Sequence, residues 1–351
     1  MKTRIEQVRS TLADILKPEQ VPEIKESEGR ITVSVVTDVP MGQKPGFAEE
    51  VKRRVGTLDG VKEVFVAFQA PAQADAPQGP APLEGVKRIL AVGSGKGGVG
   101  KSTVAVNLAA ALVRKGLKIG LLDADIHGPS AAIMTGTRNH RAAADEQRRV
   151  IPANAHGLKV ISIAFLTPPG QQAVVWRGPL VGRMVTQLLT NVAWGELDLL
   201  VVDLPPGTGD AVLSLAQTVP LSGALVVTTP QDVALLDVEK AVEMFQSVRV
   251  PVTGVIENMA GFVCPECGHE THIFLQGAGE KAAKKFNLPL LGSFPIDTSI
   301  TPSGDEGTPI VFSQPDGAPA KAFAACADKM MARLDELASA SAGTVNLTWD
   351  A

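Results

Sequence analysis

The sequence predicts an α/β protein, a doubly wound and mainly parallel sheet preceded by a small α+β domain. From residue 87 onward, short runs rich in Val, Ile and Leu recur without polar alternation, as strands covered on both faces do. They read KRILAVGS, LKIGLLDAD, LDLLVVDLPPG, GALVVTTP, VTGVIENM and PLLGSFPID. Segments of helical spacing lie between several of them, at 103–115, 210–218 and 232–248. Strands and helices alternating in this way build a sheet whose ligand lies at the strands' carboxyl ends.

The 351 residues suffice for one large domain and a smaller one. A composition 45% hydrophobic and 20% charged is that of a folded soluble protein. The net charge of −4 argues against nucleic acid or an anionic membrane as the main partner. The chain opens on a charged amphipathic helix, MKTRIEQVRSTLADIL, which is no signal peptide, and it has no apolar run of spanning length. Three cysteines provide no disulfide framework, so the expected address is the cytoplasm.

Residues 1–70 form the expected α+β domain. Ile5, Val8, Leu12 and Ile15 recur at helical spacing, and RITVSVV (30–36) and VKEVFVAF (61–68) read as strands flanking a helix around 45–56. This segment holds no Cys and no His, which leaves it without a metal ligand or thiol nucleophile and suggests a docking or regulatory module. Residues 71–85, PAQADAPQGPAPLEG, read as a semi-stiff linker. The α/β domain occupies 86–340, and 341–351 is a tail.

The first run of the α/β domain leads into AVGSGKGGVGKST (91–103). Gly93 to Gly98 fits the dinucleotide pattern G-x-G-x-x-G, a weak signal. Gly95 to Ser102 fits the more specific G-x-x-x-x-G-K-[ST], and its residues have separable tasks. Gly95, Lys96, Gly97, Gly98, Val99 and Gly100 turn backbone N–H groups toward phosphate oxygens. Lys101 neutralises β/γ charge, the Ser102 hydroxyl ligates Mg²⁺, and Thr103 continues into a helix whose positive end faces the anion. LLVVD ends in Asp203, placed to hold Mg²⁺ through a water, and runs into PPGTGD. With the strand end Asp123-Ala124-Asp125, these residues point to a Mg·nucleoside triphosphate site.

A second lysine, Lys96, stands five residues before Lys101. KGGVGKST resembles the deviant Walker A motif of the MinD/ParA/nitrogenase-iron-protein class of ATPases. The resemblance implies that Lys96 reaches the partner subunit's nucleotide in a homodimer, acting as an arginine finger does. It implies that Asp125 orients the attacking water, while Asp123 supports the Mg²⁺ shell or the loop. It also implies that Asn258, in VIENM, reads adenine, with Phe294 to Asp297 (including Pro295 and Asp297) forming the other wall. No N-K-x-D guanine signature is present, so the cofactor expected is ATP.

Residues 262–272, FVCPECGHETH, hold Cys264 and Cys267 as C-x-x-C. They supply two thiolates where a tetrahedral set needs four ligands. The remaining thiol, Cys326, falls on the apolar face of a C-terminal helix with Phe323, Met330 and Leu334, as packing. A two-fold dimer brings two pairs to one point. The same thiolates suit structural Zn²⁺; His269 and His272 offer a mixed site within one chain; a redox dithiol is a further alternative.

Taken with D-x-D-x-x-G-P-S, V-V-D-x-P-P-G-T-G-D and N-M-x-x-x-x-C-P-x-C-G, the chain resembles the Mrp-type (ApbC-like) iron–sulfur carrier ATPases over about 84–340. The resemblance implies a [4Fe–4S] cluster bridged between two subunits by Cys264 and Cys267, passed to apo iron–sulfur proteins as recipients, with slow ATP hydrolysis. The N-terminal segment is similar to the MIP18-like domain that often precedes this ATPase, without the cysteine some such domains carry. A positioning switch of the MinD or ParA kind is the alternative. It expects a basic amphipathic tail or a DNA-binding surface, and SASAGTVNLTWDA is neither. Three remaining features read as a loop contact (His127), a solvated basic stretch (Arg138, Arg141, Arg148 and Arg149, with His140) and, by the resemblance, residues near the dimer face (Trp176 and Arg177).

Overall fold

A computed structural model describes residues 4–16, 21, 23–27, 30–36, 44–69, 79–125, 128–165, 178–207, 209–231, 233–274 and 277–342. Residues 71–78, His127, Trp176, Arg177, Thr208 and the tail from 343 lie outside them. The chain forms two compact units that divide between Gln78 and Gly79.

The first unit contains α1 (Arg4–Leu12), β1 (Glu23–Ser27), β2 (Arg30–Val36), α2 (Lys44–Val55) and β3 (Glu63–Gln69). β1 pairs with β2 antiparallel and β2 with β3 parallel, so α2 is the crossover. The alternation in RITVSVV sends Ile31, Val33 and Val35 to one face, where Val8 and Leu12 of α1 and Val51 and Val55 of α2 cover them. β1, EIKES, was not among the expected strands. Its only apolar side chain is Ile24, and pairing with β2 rather than patterning makes it a strand.

The second unit opens with β4 (Ile89–Gly93), α3 (Lys101–Arg114), β5 (Ile119–Asp123), α4 (Ala131–Met134), β6 (Ala143–Ala144), β7 (Val150–Ile151), β8 (Ala153–Ala155) and β9 (Leu158–Ser162). It continues with α5 (Gly178–Thr190), β10 (Leu199–Asp203), α6 (Gly209–Thr218), β11 (Gly223–Thr228), α7 (Val233–Ser247) and β12 (Val252–Val263). It closes with β13 (Glu270–Thr271), α8 (Ala278–Lys285), β14 (Leu290–Ile296), α9 (Ile300–Asp305), α10 (Ile310–Ser313) and α11 (Ala318–Ala342). The main sheet runs β14-β12-β11-β4-β10-β5-β9-β8, with β13 paired to the far end of β12. Every pair from β14 to β9 is parallel; β8–β9 and β12–β13 are antiparallel.

All six expected strands are present, and β4, β5, β10 and β11 are buried along their whole length. From β4 the chain crosses over α3 to β5 on one side, and later strands step through β11 to β12 on the other. Right-handed crossovers in opposite directions put α3 and the α6–α7 pair on opposite faces. The direction reverses beside β4, so the crevice of a doubly wound sheet opens where β4 runs into the glycine-rich turn. α11 packs against α3 and buries Phe323, Cys326, Met330 and Leu334.

Of the stretch expected as a linker over 71–85, residues 79–85 are bonded into the second unit. Ala81 N–H donates to the Thr218 carbonyl at 3.0 Å, and Leu197 N–H to the Gly85 carbonyl at 2.8 Å. Among the described residues no helix is long and apolar enough to cross a membrane.

Candidate functional site

Adjacent parallel strands bring the predicted phosphate-site residues together. In the β10–β5 register Asp203 pairs with Asp123, and in the β10–β4 register Asp203 pairs with Val92. Two carboxylates therefore end neighbouring strands beside the loop that leaves β4. Residues 96–103 line a cavity of about 240 Å³ with Ser94, Asp125, Gly128, Ser130, Met134 and Pro206. At its floor α3 begins, with Gly100 at φ +78° before it. The first-turn N–H groups of a helix are unpaired by its own carbonyls and face an anion.

The charges are arranged around one buried lysine. Lys101 Nζ donates to Asp203 Oδ1, lies 3.4 Å from the Ser102 hydroxyl and stands 3.9 Å from Asp125 Oδ2. Asp203 is wholly buried, and its Oδ2 has no hydrogen-bond partner among the described residues. Burial pushes its carboxyl up and Lys101 pulls it down. An oxygen left unpaired beside a hydroxyl and a phosphate cavity suits a hard cation, so the donor set fits Mg²⁺.

Asp123 is a structural carboxyl. Its oxygens accept from Asp125 N–H at 3.2 Å, Ala131 N–H at 3.1 Å and the Ser162 hydroxyl at 3.1 Å. Burial, followed by the charge of Asp203, nevertheless raises it to about 8. Asp123 thus holds the segment that carries Asp125 into the cavity. Asp125 Oδ1 in turn accepts from Gly128 N–H at 3.3 Å.

Lys96 also lines the cavity. Its Nζ donates to Gln231 Oε1 at 3.2 Å, and Gln231 Oε1 accepts a second bond from Thr229 at 3.0 Å. Sequence reasoning missed Gln231 and Ser162. Both stand at or just beyond the carboxyl end of a parallel strand, which was the available signal. It also missed Asp237, whose backbone lies so near Gly95 that a Cβ there would sit 2.0 Å from the Asp237 carbonyl oxygen.

The expected base-reading residues are placed otherwise than the phosphate residues. Asn258 Nδ2 donates to the Val99 carbonyl at 2.9 Å, beneath the glycine-rich turn. Asn258 lies in register with Phe294, beside Pro295. Pro295 and Asp297 line a second, more apolar cavity of about 500 Å³, together with Val263, Pro265 and Phe323.

Cys264 and Cys267 occupy the turn between β12 and β13. Cys264 N–H donates to the His269 carbonyl at 2.9 Å, and Gly268 N–H to the Cys264 carbonyl at 2.8 Å. Hydrogen bonds from the backbone N–H groups of Cys267 and Glu266 hold the Cys264 thiol below its usual range. Cys264 is half-buried and Cys267 exposed. The mixed site within one chain does not form: His272 Nδ1 lies 3.3 Å from the Ala260 carbonyl, and among the described residues no three His, Cys, Asp or Glu side chains gather to hold a metal. Cys326 is buried against Gly292, and burial pushes its thiol up to about 12, as expected of packing.

Residues 85–331 match the family described as the NUBPL iron-transfer P-loop NTPases, of the ParA group. The chain is 46% identical over 313 residues to the iron-sulfur cluster carrier protein of Aquifex aeolicus, covering 83% of this chain and 86% of that one. It resembles the solved nucleotide-binding protein of Archaeoglobus fulgidus in complex with ADP, at 39% identity and a TM-score of 0.57, over 64% of this chain and 88% of that one. The septum site-determining protein MinD of Pyrococcus horikoshii, complexed with Mg-ADP, superposes with a TM-score of 0.51 at 23% identity, over 73% of this chain and 99% of MinD. That likeness is one of fold.

Proposed function

Because the chain belongs to the family of NUBPL-type iron-transfer P-loop NTPases, we propose that it is a homodimeric carrier of iron–sulfur clusters, with Mg·ATP binding and hydrolysis tied to cluster transfer to apo-proteins. The observation that carries this reading is the thiol turn. One chain offers two thiols at a hairpin tip, one of them exposed and one eased toward thiolate, with no third donor among the described residues. Such a half-cage is completed by a second copy about a two-fold axis and leaves its cargo accessible. The cargo is a [4Fe–4S] cluster held between subunits by Cys264 and Cys267 of each.

The nucleotide half of the proposal rests on the residues around Lys101. Ser102 and Asp203 would hold Mg²⁺, which supplies charge neutralisation across the β- and γ-phosphates. Lys101 leaves Asp203 for the phosphates. Asp125, fixed through Asp123, orients the attacking water, and Lys96 leaves Gln231 for the partner's nucleotide. Asn258, Pro295 and Asp297 receive the adenine, the last two from the apolar cavity beyond Asn258. The family, the acidic balance of the chain and its free thiols support a cytoplasmic protein acting without nucleic acid or membrane.

Anaerobic reconstitution with iron and sulfide, followed by light scattering and metal and sulfide analysis, tests this. The expected product is a dimer with one labile cluster, lost in Cys264→Ala and in Cys267→Ala while nucleotide affinity persists, and retained in Cys326→Ala. Stoichiometric iron and sulfide on a monomer would overturn the shared cage. Zinc without labile sulfide in anaerobically purified protein would overturn the cluster reading.

A further inference from the structure

One strand touches both halves of this chemistry. β12 pairs with β14 through Asn258 and Phe294, then again through Phe262 and Ile296. Four steps along β12 therefore match two along β14, and residues 259–261 form a bulge. Bulges re-aim side chains and are common next to active sites.

Both flanks of the bulge are occupied. On one side Asn258 holds the Val99 carbonyl, and a Cβ placed on Gly100 would lie 2.2 Å from Asn258 Nδ2 and 3.9 Å from the Met259 methyl. On the other, the Ala260 carbonyl lies 3.3 Å from His272 Nδ1, and a Cβ on Gly261 would lie 3.3 Å from the same nitrogen and 3.5 Å from the Thr271 carbonyl. Thr271 belongs to β13, the return arm of the hairpin that carries Cys264 and Cys267. The bulge is thus wedged between the glycine-rich turn and that arm. Met259 stands at φ +60°, a backbone state uncommon for a residue with a side chain, so the wedge has a defined shape.

We infer that Asn258 and Met259 are positioning residues that transmit the state of the phosphate loop to the thiol turn of the same chain. When a phosphate enters, the N–H groups around Gly100 reorient toward it, and Val99 and Gly100 shift against Asn258 and Met259. β12 passes the shift over five residues to Cys264, while Ala260 passes it to His272 on the return arm. Nucleotide then sets the spacing and exposure of the thiols before any second subunit is engaged. The physical warrant for such coupling is an element whose arrangement both sites bias, and a measured coupling is its proof.

The test is the alkylation rate of Cys264 and Cys267 by iodoacetamide, read by mass spectrometry on cluster-free full-length protein shown by light scattering to be monomeric. Saturating Mg·ADP is expected to change the wild-type rate by about fivefold or more. Met259→Gly relieves the positive φ and removes the side chain whose methyl faces Gly100; it is expected to bind ADP with near wild-type affinity yet shift the rate by less than about twofold. Wild-type rates that are unchanged while calorimetry shows bound ADP would overturn this inference alone, whatever the variant does. A full response in a folded Met259→Gly protein would do the same. Absence of ADP binding would overturn the phosphate-loop reading on which the inference rests.

Discussion

Lys101 Nζ donates a hydrogen bond to Asp203 Oδ1 where both side chains are buried, at 6% and 0% exposure. The lysine of the glycine-rich loop and the carboxylate that ends β10 therefore pair with each other. On the function proposed above, nucleotide entry would exchange partners: phosphate would take the lysine and the metal would take the carboxylate. The arrangement keeps a buried charge paired in both states, which is the condition for tolerating it at all.

Lys101→Ala should accordingly do two things. It should abolish nucleotide binding by calorimetry, and it should lower stability by about 3–5 kcal/mol in denaturant titration, because Asp203 is left buried without a counter-charge. Adding Asp203→Asn should recover a large part of that stability without recovering binding. Equal losses in the single and double variants would show that Asp203 carries no unpaired charge once Lys101 is gone.

Asp123 gives a pH dependence with a fixed sign. Its folded carboxyl is raised to about 8 from 3.8, so the folded state binds the proton more tightly than the unfolded chain. The stability it contributes is full below about pH 4 and is lost as pH rises through about 8. Asp123→Asn cannot ionise, and its nucleotide-free unfolding midpoint should fall less than that of wild type between pH 5 and 8 (about the window of the shift). Parallel curves would show that Asp123 does not titrate there. Lower stability of the variant at pH 5 is expected too, since an amide meets the N–H groups of Asp125 and Ala131 with one acceptor fewer.

Lys96 separates binding from turnover. It lines the cavity but pairs with Gln231 rather than with a carboxylate, so its loss leaves no buried charge unpaired. Lys96→Ala should keep its melting temperature and bind ATP within about an order of magnitude of wild type, while hydrolysis falls by at least about 10³, the scale of a removed arginine finger. Gln231→Ala, by freeing Lys96, should spare turnover. Full hydrolysis by Lys96→Ala would remove the lysine from the reaction.

The gathering of Lys101, Ser102 and Asp125 around one cavity, with Asp203 paired to Lys101 and in register with Asp123, was legible in the sequence because its signals are local. A loop of fixed length joins a buried strand to a helix, and a carboxylate ends the neighbouring strand. The thiol pair was legible as chemistry, and its setting was not: a β12 that overruns its partners, bulges at 259–261 and turns back as β13 depends on pairing across the sheet. β8 and β9 escaped for a similar reason, since ANA and LKVIS are too short for periodicity; β9 is fixed by pairing with β5, and β8 by pairing with β9. Ser162 and Gln231 became functional candidates only when the fold set them against Asp123 and Lys96. The proline-rich 79–85 misled in the other direction, because composition carries no record of a hydrogen bond to Thr218.

The glycines of the phosphate loop differ in what they would tolerate, and that difference is a final test of the geometry. A Cβ on Gly95 would lie 2.0 Å from the Asp237 carbonyl oxygen, a backbone atom of α7 that cannot yield without moving the helix. Gly100 combines φ +78° with a Cβ position 2.2 Å from Asn258 Nδ2, so alanine there meets both an unfavourable backbone and the side chain that holds Val99. Gly97 has neither problem: its nearest neighbour would be Pro206 Cγ at 3.9 Å. Gly95→Ala and Gly100→Ala should each cost about 2 kcal/mol or more in unfolding free energy and lose nucleotide binding. Gly97→Ala should unfold within about 0.5 kcal/mol of wild type, the range of a substitution that meets nothing, and show its effect only when nucleotide is added. A Gly97 variant as unstable as the Gly100 variant would mean that the loop is held in a different conformation from the one that places Lys101 on Asp203.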